Sequence, residues 1–253
     1  MIHRSAIIDK HAEVDEGVEI GPYCVVGAKV RIGKGTKLLS HVSLEGRSEI
    51  GEGCVIHPFA CIGGPPQDIT YRDEDTACII GSRNIIREYV TVNRGTKGHN
   101  TTVGDGNFLM AYVHIAHDCT VGSGIIMANC ATLAGHVEVA DFVILGGLCA
   151  VHQFCRIGKY AFVSGLTGVP KDISPFVMAA GDRAKLYGIN VVGLERHKFP
   201  KEELGKLKKA YRILFRSKLP LETSLKLIEE ELEGDNIQEI VGFIRSSARG
   251  ICR

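Results

Sequence analysis

The 253-residue chain has no Trp and is only 6% aromatic, so large ring systems do not build its core. It has no C-x-x-C pair, and its nine Cys are an odd number without paired spacing, which disfavours both a zinc ribbon and a disulfide framework. Neither sign of charge prevails. Thirty Lys and Arg face twenty-nine Asp and Glu, so nothing global points to nucleic acid or to a polybasic membrane anchor. No stretch reaches the roughly eighteen uninterrupted apolar residues of a transmembrane helix. Met1 to Lys10 lack the apolar centre of a secretory signal, so a soluble, cytoplasmic protein is expected. What is abundant is Gly: thirty residues, in a chain whose 45% hydrophobic content rules out disorder, indicate an ordered and turn-dense repeat.

The repeat has a period of six. Aliphatic residues recur from Ile2 through Val14, Ile32 and Ile50 to Ile62 without a miss, resume at Ile80, Ile86 and Val92, and run again from Val103 to Val169. Met127 is the only position in this series that is not Ile, Val or Leu. Four residues after most of them stands a small or β-branched residue, such as Cys24, Thr36, Ala60 or Ala131, which also faces inward. A period of six is neither helical nor a simple strand alternation, so each hexad must be a short strand and a turn. Three sides close one coil, and coils stack at roughly 4.8 Å as a parallel β-helix.

Two segments break the pattern, near residues 63–79 and 94–102, and loops leaving a solenoid wall commonly carry function. After Pro170 the hexads stop, and Ile173 to Gly193 reads as an irregular connection. Helical spacing then appears in Leu204, Leu207, Tyr211 and Leu214, after Pro220, and in Ile237, Ile240, Val241 and Ile244. The expected domains are a β-helix over residues 1–190 and a helical domain over 191–253. Arg196 to Lys218 holds nine basic residues against two Glu, so Arg196, Lys206, Lys209, Arg212 and Arg216 are candidates for receiving an acidic partner. Two solvated helix faces attracting one another, the second being the acidic Glu222–Glu239 stretch, explain them slightly better than a docking patch taken alone.

Chemistry concentrates in four His, at 114, 117, 136 and 152. Positions eighteen apart stack, so His117, Gly135 and Gln153 form one rung and Asp118, His136 and Phe154 the next. An imidazole that titrates near neutrality can take a proton from a hydroxyl and return it to a leaving group. Gly135 supplies a main-chain N–H able to stabilise an oxyanion. Imidazoles from neighbouring chains holding zinc are the rival use of the same residues. Cys24, Cys54, Cys119, Cys149 and Cys155 sit in inward slots and pack as small hydrophobes.

The segments His114-Ile115-Ala116-His117-Asp118-Cys119, Ala134-Gly135-His136 and Ala150-Val151-His152-Gln153-Phe154 resemble the UDP-N-acetylglucosamine O-acyltransferases of lipid A biosynthesis, within the hexapeptide-repeat superfamily. The likeness extends over nearly the whole chain, through Gly63 to Asp68, Gly188-Ile189-Asn190 and Arg249-Gly250-Ile251. It implies a left-handed coil and a homotrimer with sites between subunits. It implies transfer of a 3-hydroxyacyl chain from acyl carrier protein to the glucosamine 3-position of a UDP-sugar, without metal or organic cofactor. His117 would then be the general base, Asp118 its orienting partner and the Gly135 N–H the oxyanion donor. Asp68, His114, His136, His152 and Gln153 would contact substrate, and Asn190 and Arg196 would hold the nucleotide from the neighbouring subunit. Gly165 resembles the position that sets acyl length, with long tails, near fourteen carbons on the family analogy, lying along the coils; a turn Gly needing positive φ is the competing explanation. Three departures stand out: Thr70 where Lys is usual, Val192 where some members have an acid, and His197 where a second Arg is common. They leave open whether the acceptor is a 3-hydroxyl or a 3-amino group. The later N-acyltransferase of the same pathway is a weaker alternative, since its N-terminal sugar-binding domain has no room before Ile2. A β-helical zinc carbonic anhydrase is the alternative from another chemical class.

Overall fold

Each hexad folds as a strand of about two residues followed by a turn, and strands one coil apart pair in parallel, as Ile126 does with Ile144 and Ile144 with Phe162. The computed structural model describes residues Met1–Arg253 and is a left-handed parallel β-helix with C-terminal helices. Three sheets wall the prism. The first face has nine strands, from Ile7–Ile8 to Gly168–Val169. The second has eight, from Glu13–Val14 to Arg156–Ile157, and the third has ten, from Glu19–Ile20 to Lys185–Ile189. The chain visits them in that order on every coil.

The hexad aliphatic of each strand points inward: Leu44, Ile62, Ile86 and Leu109 are fully buried, and the small turn positions Cys24, Thr36, Ala60 and Ala131 fill the space between them. Each large aliphatic side chain so buried contributes about 1.5–3 kcal/mol. The third turn position takes φ near +60° whether or not it is Gly, as at Tyr112, Asp118, Cys130, His136 and Leu166. Gly165, at the second position, lies outside the left-handed region, so the turn explanation for this Gly does not hold.

The segment expected to be irregular is in fact ordered. Val177–Ala180 pairs in parallel with Phe162–Val163 and antiparallel with Lys185–Ile189, a hairpin that extends the third sheet past the last hexad. Its strand alternation is legible in the buried Val177 and Ala179, but the break at Pro170 and Pro175 hides it. Four helices follow rather than three: α1 (Val191–Arg196), α2 (Lys201–Arg216), α3 (Leu221–Glu231) and α4 (Asp235–Arg245). Leu204, Leu207, Ala210, Tyr211 and Leu214 form the buried stripe of α2. One hydrophobic cluster of 63 residues runs from the prism through these helices, so they share its core.

Each edge of the prism carries a different feature. Both insertions, residues 65–76 and 94–100, leave at the edge between the first and second faces. At the second-to-third edge α1 is moored, with His197 packed on Phe142 and Tyr160 at ring distances of 5.0 Å. Along the third-to-first edge, Tyr23, His41, Phe59, Tyr89 and Tyr112 form a ladder of rings 4.9–5.0 Å apart.

Candidate active site

His117, Asp118, Gly135, His136, His152 and Gln153 all occupy turns of the first-to-second edge, directly above the two insertions. The imidazole of His117 contacts Asp118 through Nδ1, 2.7 Å from Oδ2, and its side chain is 15% exposed while that of Asp118 is 1% exposed. An ionised carboxylate only accepts, so Nδ1 carries the proton of this bond and Nε2 keeps a free lone pair. Burial alone would push the Asp118 carboxyl up, but hydrogen bonds from His117 and from the Thr96 N–H and hydroxyl outweigh it and hold the group below its ordinary value.

His136 approaches the same carboxylate from the next coil, Nε2 to Oδ2 at 3.4 Å, and stacks on Phe154 with ring centroids 4.6 Å apart. Burial lowers its pKa against the opposing pull of Asp118. His114 lies on the outward side of the first face, with Nδ1 2.7 Å from Thr91 Oγ1, and burial, then the neighbouring His117, lower its pKa as well. Both imidazoles are therefore suited to act as neutral hydrogen-bonding groups. Gly135 N–H donates to no acceptor within the chain, whereas the His136 N–H that follows it bonds to His117 C=O at 3.0 Å. Asp68, on the 65–76 insertion, lies within electrostatic reach of His117 and is held by the N–H and hydroxyl of Thr70 at 2.7 and 2.9 Å. These two bonds lower its pKa. Gln153 and His152 are exposed, and the Gln153 amide makes no bond within the chain.

Other candidates are placed elsewhere. Asn190 caps α1 by accepting from Gly193 N–H at 3.1 Å and anchors it by donating to Tyr160 C=O at 3.0 Å, so its side chain has a structural duty as well. Arg196 and Val192 are exposed on the same helix. Gly165 belongs to the third-to-first edge. The three groups thus occupy three edges, and the chain's larger cavities include none of His114, His117 or Gly135. The largest, about 610 Å³, runs from Asp118 and His136 across the second face to Arg156 and Arg249. Among the basic candidates, Lys206 pairs with Glu202 and Glu203, Lys209 with Glu231, and Arg216 donates to Leu186 C=O, leaving Arg196 and Arg212 free of such ties.

Reading the sequence missed Thr96, Thr91 and His99. The 94–100 interruption pointed to this region, but nothing in it distinguishes the residue that bonds Asp118. A metal could be offered His117, Asp118 and His136, whose ligand atoms lie within 4.8 Å of one another, all from one chain rather than from neighbours. Asp118 Oδ2 already accepts from Thr96 and His117. The buried cysteines carry no sign of nucleophilic use: burial pushes the Cys119 thiol up to about 12.

The chain is similar over its full length to proteins of known type. A family profile described as UDP N-acetylglucosamine O-acyltransferase, domain 2, matches residues 172–252, and the bacterial transferase hexapeptide profile matches 29–64 and 100–135. The acyl-[acyl-carrier-protein]–UDP-N-acetylglucosamine O-acyltransferase of Thermodesulfovibrio yellowstonii is 54% identical over 255 residues, covering 100% of this chain and 99% of the relative. That of Herminiimonas arsenicoxydans is 48% identical over 260 residues, with coverage of 100% and 99%. Among solved structures, LpxA from Acinetobacter baumannii superimposes with a TM-score of 0.97 at 41% identity, covering 100% of this chain and 99% of its own. The Arabidopsis UDP-N-acetylglucosamine acyltransferase gives 0.89 at 36%, with complete coverage of both chains.

Proposed function

Since the chain belongs to the UDP-N-acetylglucosamine O-acyltransferase family, we propose that its His117 cluster moves a 3-hydroxyacyl group from acyl carrier protein to the 3-position of UDP-N-acetylglucosamine, the first step of lipid A biosynthesis. The observation that carries the assignment of roles is the 2.7 Å bond from His117 Nδ1 to a carboxylate that is 1% exposed. It fixes the tautomer in which Nε2 accepts the proton of the sugar nucleophile. The deprotonated oxygen attacks the thioester carbonyl, and the resulting oxyanion takes the free Gly135 N–H. Collapse expels the pantetheine thiolate, which recovers the proton from His117 Nε2, and no acyl-enzyme forms. Asp68, His114, His136, His152 and Gln153 orient the sugar and the thioester. The Thr70 side chain is spent on Asp68, so a 3-amino acceptor stands beside the 3-hydroxyl as a substrate to assay. Nothing favours carbon dioxide hydration or the later N-acyltransferase step.

The active unit in this reading is a homotrimer. The second face presents Glu13, Arg31, Glu49, Glu138 and Arg156 outward, a surface suited to water. The third face instead presents Val55, Ile85, Phe108, Ile126, Ile144 and Phe162, and the first presents Thr91, Thr132 and Ala150. Beyond the outward Glu19–Lys37 pair of the third face, the strands of these two adjoining faces present no Asp, Glu, Lys or Arg up to Phe162 and Gly168, and their meeting at an aromatic edge suits a three-fold axis along that edge, with the first face of one subunit on the third face of the next. This arrangement would carry α1 of one subunit, with Asn190 and Arg196, towards His117 of its neighbour. Arg196 and Arg212, with Lys208 on the same helix as Arg212, would face the acidic carrier protein. No helix is long and apolar enough to cross a membrane, and both substrates ride on water-soluble carriers, which fits a cytoplasmic reaction.

The test is acyl transfer by the purified protein with His117→Ala alongside. Loss of general-base catalysis predicts turnover lower by about 10²–10⁴-fold, with thermal stability retained because the side chain stands outside the aliphatic core. Near-normal transfer by the variant with both substrates saturating would overturn the assignment.

A further inference from the structure

The insertion of residues 94–100 does more than decorate the edge. Its Thr96 is 3% exposed, and both its polar groups on the near side meet one carboxylate: N–H to Asp118 Oδ1 at 2.7 Å, and hydroxyl to Asp118 Oδ2 at 2.7 Å. The approach needs the preceding Gly95, where a Cβ would lie 2.1 Å from His99 C=O and 2.8 Å from Asp118 Oδ1. From the other side, Thr101 at the end of the insertion accepts the Asp118 N–H at 2.9 Å. The insertion is itself braced against the 65–76 loop: Thr76 hydroxyl donates to Gly95 C=O at 2.5 Å, and the Arg94 guanidinium donates to Tyr71 hydroxyl at 2.9 Å and to Gly63 C=O at 2.9 Å.

We propose that Thr96 is a positioning residue for the transfer reaction: it locks the rotamer of Asp118, and through Asp118 the Nδ1–H tautomer of His117. The proposal rests on the roles assigned above to His117 and Asp118. Asp118 has φ +60°, and without a clamp its short side chain can turn away from the imidazole. Other titratable groups surround the pair: His136 at 3.4 Å from Asp118 Oδ2, His114 within electrostatic reach of His117, and His99 and Asp68 within electrostatic reach of His136. None of them bonds both carboxylate oxygens. Thr96 does, so Oδ2 stays aimed at Nδ1 and Nε2 stays bare for the nucleophile. Because the clamp is delivered by one insertion and braced by the other, which carries Asp68, the base and one acceptor contact are set by the same pair of loops.

The experiment compares Thr96→Val, Thr96→Ser and the unaltered protein, measuring kcat, KM for the UDP-sugar and the ¹⁵N NMR signals of the His117 imidazole. A hydrogen bond to a charged group is worth enough that losing it lowers a rate by about 10–100-fold. Thr96→Val should lower kcat by that amount with little change in KM, and should turn the single Nδ1–H tautomer of His117 into a mixture. Thr96→Ser keeps the hydroxyl and should restore both readouts. If Val does not fold, Thr96→Ala removes the same hydroxyl with less crowding and is read in the same way. A hydroxyl-less variant with kcat within twofold of the original and an unmixed tautomer would overturn the proposal, as would a folded Ser variant as slow as Val. Should His117→Ala retain activity, it is the assignment of the base that fails, which the NMR signature of the Thr96 variants does not test.

Discussion

The backbone of Gly135 passes directly under the imidazole of His117: a Cβ built there would lie 2.6 Å from Cε1 and 2.8 Å from Nε2. The residue proposed to donate to the oxyanion is thus also the floor on which the proposed base rests. Gly135 is buried, yet its φ is not in the left-handed region, so close approach rather than backbone conformation demands Gly here. Gly135→Ala should push the imidazole off its place while leaving the coil intact. A displacement of this kind costs roughly 10²-fold in rate, with the melting temperature changed by only a few degrees. Kinetics and thermal unfolding of the variant check this, and an active Gly135→Ala would mean that His117 has a second productive position.

Much of the fold was legible because a period of six leaves one solution for where an aliphatic side chain goes, and Ile20, Leu44 and Ile86 are buried as that pattern requires. The rungs were legible too, since stacking follows from counting eighteen residues, and His136 indeed lies on Phe154. The hairpin Val177–Ile189 was not, because two Pro mask a strand alternation of only a few residues. Thr96 was hidden for another reason. Its role depends on how an insertion folds back over Asp118, which no periodicity encodes.

The proposed three-fold arrangement leads to a mixing experiment. His117 stands on the first-to-second edge and Arg196 on α1 at the second-to-third edge, so in one chain a full prism wall separates them. Under the three-fold arrangement each site draws His117 and Arg196 from different chains. His117→Ala and Arg196→Ala proteins, each impaired alone, should regain activity when unfolded together and reassembled. Random assembly leaves roughly one quarter of the sites with both groups, so recovery should approach that fraction of the original rate. Verified mixed trimers with no recovery would place both residues in the same subunit's site.

Gly165 is the proposed ruler of acyl length, and the geometry alters the path expected for the tail. From the His117 coil to the Gly165 coil there are three coil steps, counted along His114, Thr132, Ala150 and Gly168 on the first face, an axial rise of about 14 Å at 4.8 Å per step. A hydrocarbon advancing about 1.25 Å per methylene needs about eleven methylenes for that rise. It must also cross the first face to reach the other edge, so it runs obliquely over Thr132, Ala150 and Gly168 rather than straight along the coils. That oblique path is longer than the axial rise, so it holds more than about eleven methylenes and has room for the roughly fourteen carbons of the family analogy. The far end is apolar, with Leu148 and Leu166 59% and 72% exposed on the same edge as Gly165. A Cβ at position 165 would lie 3.1 Å from Gly147 C=O, tight but with no positive φ to forbid it, so Gly165→Met can be folded with its side chain projecting into the path. Each methylene buried contributes about 0.8 kcal/mol, so the original protein should favour fourteen- over twelve-carbon donors by roughly tenfold. Gly165→Met should reverse that order while the rate with the shorter donor stays near its original value. Competition between twelve- and fourteen-carbon 3-hydroxyacyl carrier proteins reads the ratio directly. Unchanged selectivity would remove Gly165 as the ruler, and an equal fall with both donors would show that the substitution strains the coil instead.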